Sequence, residues 1–285
     1  MKTYNIAGIK LAFHYEHDGY FNNNIEKYLT DEKAEYTLEV KTVANIEKPI
    51  NEPSYTYKNR HIHHEDGKHT LIVYTKNNAI KIRMDHTLDY KTQTIYLHQD
   101  YIEDLAEMEY VLSGLQFMQL ALHKNMLPLH ASAIAYQDQA ILFAASSGTG
   151  KSTHTTYWQK TFDEVFVIND DKPLIFKENN QFMVTGSPWS GKNTINENIT
   201  LPLKAIVFLD RGERNTVTKL SKDKALNRFM KDCMRPGDAT LMDKTLSLIE
   251  SLINQSHYYH YQVTNSPDSV NPIYQAIFKE DSHED

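Results

Sequence analysis

Ala140-Ile141-Leu142-Phe143-Ala144-Ala145-Ser146-Ser147-Gly148-Thr149-Gly150-Lys151-Ser152-Thr153 is the stretch on which the reading of this chain turns. An apolar strand runs into small residues, a lysine and two hydroxyls, and a helical segment follows to about Lys160. Strand, loop and helix in that order are the setting a phosphate-binding P-loop needs. Ser146, Ser147, Gly148, Thr149 and Gly150 are small enough for successive backbone N–H groups to turn inward as a nest for phosphate oxygens. The helix starting near Lys151 adds free N–H groups and the positive end of its dipole. Lys151 would reach the β- and γ-phosphates of ATP, and the Ser152 hydroxyl would bind Mg²⁺ bridging them, with Thr153 completing the motif. The loop contains no Asp or Glu to repel a nucleotide. Its first position, usually Gly, is Ala145, which serves unless that position demands a positive φ. The competing reading is a Gly/Ser-rich loop that binds nothing.

Working outward, the chain divides by pattern. From Tyr4 to about Leu97 it reads as strand-rich, with runs at Ile6–Phe13, Tyr36–Val43, Thr70–Tyr74, Ala79–Met84 and Thr92–Leu97. Lys76-Asn77-Asn78 suits a hairpin turn. Leu105, Met108, Val111, Leu112, Leu115, Met118 and Leu122 then follow a three-four spacing, one apolar stripe of a helix. Strands are expected at Leu129–Tyr136, turning at Gln137-Asp138, and at Ala140–Ala145. Val165–Ile168 and Ala205–Leu209 read as further strands, and Leu174–Phe176 with Phe182–Thr185 as a hairpin. Asp238 is a good N-cap for a helix buried through Leu241, Leu246, Ile249, Leu252 and Ile253. Tyr258–Val263 reads as a last strand. A terminal helix, about Pro267 to Phe278, leads into an acidic tail expected to fray. The division is a β-rich part over 1–103, a candidate for substrate recognition, and an α/β (α+β) part over 104–285.

Four further clusters carry candidate chemistry. Asn169-Asp170-Asp171-Lys172-Pro173 puts adjacent carboxylates at a strand end, where each raises the other's pKa unless a cation relieves them. Asp170 or Asp171 would hold Mg²⁺ while the other takes the proton of an attacking hydroxyl. Taken alone, the segment is also an ordinary turn stopped by Pro173. Thr185-Gly186-Ser187-Pro188-Trp189-Ser190-Gly191-Lys192 offers a rigid aromatic and a cation, Lys192, to offset transition-state charge. A hairpin end with a packed Trp is its plain alternative. His130 lies on a strand adjoining the loop's own strand, as a catalytic candidate or as a structural histidine. His61-Ile62-His63-His64-Glu65-Asp66-Gly67-Lys68-His69 lacks a helical pair or closed ligand set and reads as a solvated loop. Arg211, Arg214 and Arg235 are scattered cations.

The 285 residues hold 37 Asp and Glu against 30 Lys and Arg, a net charge of −7, which argues against nucleic acid and anionic membrane as partners. One cysteine excludes an internal disulfide and a multi-cysteine zinc site. No run approaches the ~20 apolar residues needed to cross a bilayer. A soluble cytoplasmic protein is expected.

Taken in order, His130 before the loop's strand, Ser147 to Thr153 and Asn169-Asp170-Asp171 resemble the C-terminal catalytic domain of HPr serine kinase/phosphorylase. That fold is related to the nucleotide-binding half of phosphoenolpyruvate carboxykinase. The fuller run, His130-Ala131-Ser132-Ala133-Ile134, the loop with Trp158 behind it, Asn169 to Pro173 and Gly186 to Lys192, is similar to HPr-kinase-like proteins encoded with peptide-modifying systems. Some of these phosphorylate a serine of a precursor peptide, as in lasso-peptide tailoring. The resemblance spans about residues 105–280. It implies a mixed-sheet P-loop kinase domain using ATP and Mg²⁺, with Lys151 and Ser152 as phosphate and metal contacts. It also implies Asp170 and Asp171 as base and metal partner, His130 as a further catalytic residue, and self-association. The implied function is transfer of the γ-phosphoryl to a hydroxyl, foremost a serine of a peptide or protein. The alternatives are a metabolite kinase with the same site and a non-catalytic ATP sensor. The chain departs from the family at Ala145, and Gly186 to Lys192 stands where the regulatory kinase carries its glycine-rich HPr-contacting segment. It is also too short for a full carboxykinase.

Overall fold

In the computed structural model, residues 1–21, 24–65, 67–146, 148–191 and 194–279 are described. Ser147 and Lys192 therefore lie outside the described residues, as does the acidic tail over 280–285. The described chain is α+β, with mixed sheets in two compact units, Met1–His123 and Lys124–Asp285.

The first unit is a sheet of eight strands in the order β1-β2-β3-β8-β7-β6-β5-β4. They are β1 (Lys2–Ile6), β2 (Ile9–His14), β3 (Tyr36–Val43), β4 (Tyr55–Tyr57), β5 (Arg60–Glu65), β6 (Lys68–Tyr74), β7 (Ile80–Thr87) and β8 (Thr92–His98). β3 shows which face of the sheet is covered: Tyr36, Leu38 and Val40 are buried while their neighbours are only half-buried, the period of two of a sheet buried on one face. Ile6 to Phe13 reads as one run but is a hairpin, because Ala7 and Gly8 both take positive φ, 54° and 79°. The histidine run expected as a loop is the β5–β6 hairpin, in which His64 sits opposite His69 and His63 is buried. β-Branched and aromatic residues on its partner β6 outweigh the polarity of β5.

Helix α1 (Leu105–His123) packs on β3 and β8, so it belongs to the first unit and the division follows His123. Its buried face overlaps the expected stripe only in part. Met118 and Leu122 are buried together with Tyr110, Ser113, Gly114 and Phe117, whereas Val111 and Leu115 are exposed. Glu109 turns that face inward: fully buried, it accepts the backbone N–H groups of Glu16 and His17 at 2.7 and 2.8 Å.

The second unit is built on β9 (Leu127–Pro128), β10 (Ala131–Tyr136), β11 (Gln139–Ala144), β12 (Phe166–Asn169), β13 (Leu174–Glu178), β14 (Gln181–Thr185), β15 (Thr200–Arg211), β16 (Thr216–Lys219) and β17 (Tyr258–Val263). The order is β12-β10-β11-β15-β14-β13-β9, with β17 also on β15 and β16 on β17. Helices α2 (Lys151–Thr161), α3 (Lys222–Asp232), α4 (Ala239–Gln255) and α5 (Val270–Phe278) complete it. Trp158 of α2 and Ile273 and Ile277 of α5 join Phe143, Val207, Tyr259 and Tyr261 in one buried cluster on one sheet face. Phe208, one residue on from Val207, meets Phe229 of α3 edge-on at 5.1 Å, so α3 covers the other face. Asp238 caps α4 as expected, accepting the Leu241 N–H at 2.8 Å, but Leu246 is exposed. β16 and α3 were not foreseen; α3 is polar apart from its narrow Ala225–Phe229 seam.

Candidate functional site

Strand register assembles the site. β10 runs antiparallel to both neighbours, pairing Ala131 with Ala144 of β11 and Ala133 with Asn169 of β12. The start of β10 therefore lies beside the ends of β11 and β12. That single edge gathers His130 and Ser132, the loop after β11, and Asp170 and Asp171 after β12.

The loop turns as its glycines allow. Gly148 and Gly150 take φ of 77° and 114°, conformations that cost L side chains dearly, whereas Ala145 shows no positive φ and needs no glycine. Gly150 caps α2, and its carbonyl accepts the His154 N–H at 2.9 Å. Ser146 is exposed, Thr149 half-buried and Thr153 exposed on the first turn of α2. Lys151 is buried; its Nζ donates to Ala145 O at 2.9 Å and lies 3.0 Å from His130 Nε2. Burial lowers its pKa, against the opposing pull of Asp171, Asp232 and Asp170.

The acidic pair is divided between partners. Asp170, buried, accepts from Ser152 Oγ at 2.9 and 3.1 Å and from Ser132 Oγ at 2.8 Å. Asp171 faces His130 Nδ1 at 3.0 Å and Lys172 Nζ at 2.5 Å. Burial alone would raise the Asp171 pKa, but the hydrogen bond from His130 and the charge and hydrogen bond of Lys172 outweigh it and hold the carboxyl at about 2. With Lys151 as an ammonium, His130 Nε2 is the acceptor and Nδ1 carries the proton toward Asp171. Asp171, His130 and Lys151 thus form one hydrogen-bonded line.

Asn169 fixes the turn that splits the carboxylates. Its Oδ1 accepts from the N–H groups of Asp171 and Lys172 at 3.0 and 2.7 Å, and its Nδ2 donates to Ser187 O at 2.9 Å. The segment after β14 is thereby pinned, with Ser187, Trp189 and Ser190 buried, so it is packed wall and not an open pocket lip. Gly191 (φ 79°) lies so close that an added Cβ would come within 3.1 Å of the Asp171 Cβ.

Ser132, Asp232 and Arg211 were missed as site residues. Ser132 was visible in principle, since alternation puts it on the same face as His130. Arg211 ends β15, parallel to β11, and its guanidinium donates to the carbonyls of Gly148 and Thr149. Beside it opens a cavity of about 350 Å³, lined among others by Gly150, Thr153, Tyr157, Arg211 and Asn265. Arg235 instead closes on Met230 O of α3, and Arg214 enters no described bond to the site. Among the described residues no helix is long and apolar enough to cross a membrane.

A family model described as SynChlorMet cassette protein ScmC matches residues 97–241 of the chain. No curated protein matches it. Among solved structures, the Hpr(Ser) kinase/phosphatase from Coxiella burnetii is similar at 13% identity, over 55% of this chain and 99% of that one, with a TM-score of 0.26.

Proposed function

This chain belongs to the family of SynChlorMet cassette protein ScmC, and we propose that its second unit is an ATP- and Mg²⁺-dependent kinase acting on a hydroxyl. The observation that carries the reading is the Ser152–Asp170 contact at 2.9 Å: the hydroxyl following the loop lysine meets a carboxylate from a neighbouring strand. In P-loop enzymes such a serine and such an aspartate share the metal. Two hard oxygen donors fit Mg²⁺, which takes one or two carboxylates and keeps much of its water. Held by Ser152 and Asp170, Mg²⁺ would supply charge neutralisation for the transferring phosphate.

The chain's own groups do the rest. The backbone N–H groups between Ser146 and Ser152 cradle the phosphates, and the cavity beside Arg211 receives the nucleoside. Lys151 leaves Ala145 O and His130 Nε2 for the phosphate oxygens. Asp171 accepts the hydrogen bond of the acceptor hydroxyl. At a pKa of about 2 it is a weak base, so it orients the oxygen for in-line attack and takes the proton only as the new P–O bond forms. His130 holds Asp171 in place.

The acceptor we assign is a serine hydroxyl of a peptide, from the resemblance to kinases of peptide-modifying systems. Assay with γ-labelled ATP and serine-ended peptides tests the reading. Wild type should label them, and Lys151→Ala and Asp170→Asn should not; equal labelling by both variants would defeat it.

A further inference from the structure

Asp232 is the carboxylate of this site that the mechanism above leaves unused. It is the last residue of α3 and 7% exposed. Its main-chain carbonyl accepts the His130 N–H at 3.0 Å, and Leu129 and Cys233 form an adjoining bridge, so α3 ends against the His130 strand. The charges of Lys231, Arg228 and Lys151 act on its carboxylate. Yet among the described residues no hydrogen bond or ion pair reaches that carboxylate. Asp170 has its serines and Asp171 its histidine and lysine.

The residue is largely enclosed, its carboxylate has no hydrogen-bond donor among the described residues, and it stands at the negative end of a helix dipole. Burial raises its pKa accordingly. An asparagine would remove all the charge terms at the same volume. An enclosed carboxylate without a protein donor beside a candidate active site calls for a partner, and a bound ligand can supply one.

We propose that Asp232 recognises the acceptor, receiving an N–H group that flanks the hydroxyl to be phosphorylated. The inference rests on the kinase reading. An ionised carboxylate only accepts hydrogen bonds, so its partner must be a donor. His130 holds Asp171 through its ring and Asp232 through its main chain. The Asp232 carboxylate is close enough to Lys151 for that charge to act on it, so it borders the same site that Asp171 faces. In a serine residue the flanking group is the backbone N–H; in a free amino alcohol it is the ammonium.

The test is steady-state kinetics of wild type, Asp232→Asn and Asp232→Ala with ATP and three acceptors: a serine-ended peptide, the same peptide N-methylated at the serine nitrogen, and free amino alcohols. The acceptor KM should rise about 10- to 100-fold in the variants, with kcat and the ATP KM unchanged. N-methylation should penalise wild type by a similar factor and the variants hardly at all. Preference for peptide or for amino alcohol identifies which source supplies the N–H. Both variants should unfold at a higher temperature than wild type. An unchanged acceptor KM, a full N-methyl penalty in Asp232→Ala, or a loss confined to ATP affinity would overturn the inference and leave the kinase reading standing. No transfer by wild type to any acceptor would overturn both.

Discussion

Two stretches of this chain bring histidine close to acid, and they come to different ends. In the first unit, register sets His64, His69 and His86 directly opposite one another on β5, β6 and β7. Rings meet rings, with centroids 4.2 Å apart for His64 and His69 and 5.1 Å for His69 and His86, and His86 stacks on Tyr90. In the second unit, His130 enters the end of a strand whose neighbours deliver an aspartate and a lysine, each 3.0 Å away. The dense cluster in sequence became sheet packing, while the isolated histidine became the hub of the site. What counts is which atoms the register sets opposite a side chain, not how many like residues adjoin it in the chain.

The largest effect that would break this contrast lies at the hub. Lys151→Ala should lower phosphoryl transfer about 10³-fold, measured with saturating ATP, because it removes the charge nearest the phosphates. Near-normal turnover would put the site elsewhere.

A third histidine sharpens the comparison. His154 is buried under the loop; Trp158 Nε1 donates to its Nε2 at 3.2 Å, and Ser269 Oγ meets its Nδ1 at the same distance. Burial lowers its pKa from 6.5 to about 4. A depressed histidine pKa means the fold holds the neutral ring, so its stability contribution is complete above pH 6.5 and is lost as pH falls toward 4. Urea midpoints should show ~3 kcal/mol lost across that window, and distinctly less in His154→Gln.

Next comes Gly191→Ala. The positive φ and the 3.1 Å approach to Asp171 should together cost about 1–3 kcal/mol and lower kcat by displacing the carboxylate. Full activity with unchanged stability would show that Asp171 need not stand where His130 holds it. The smallest change should be His64→Ala, within about 0.5 kcal/mol and without effect on catalysis, since that ring is exposed.

Local chemistry accounts for what was legible beforehand. The Gln137-Asp138 turn, the β13–β14 hairpin and the Asp238 cap are decided by residues next to one another, and the structure has all of them. The extent of α1 was readable from its spacing, but only its last turns, at Met118 and Leu122, bury the expected face. Glu109 draws its own face inward because it satisfies N–H groups far away in the chain, which no periodicity records. Asp232 escaped for the same reason.

By itself the sequence determined the glycines that let the loop after β11 turn, the lysine and serine that follow it, and an acidic pair stopped by a proline. These are short-range matters of backbone freedom and side-chain type. Only the tertiary structure decided that Asp170 goes to two serines and Asp171 to His130, and that Asp232 arrives from a helix not foreseen. Each of those pairings depends on cross-strand register and helix docking, and the free energy that sets them comes from core residues remote from the groups they bring together.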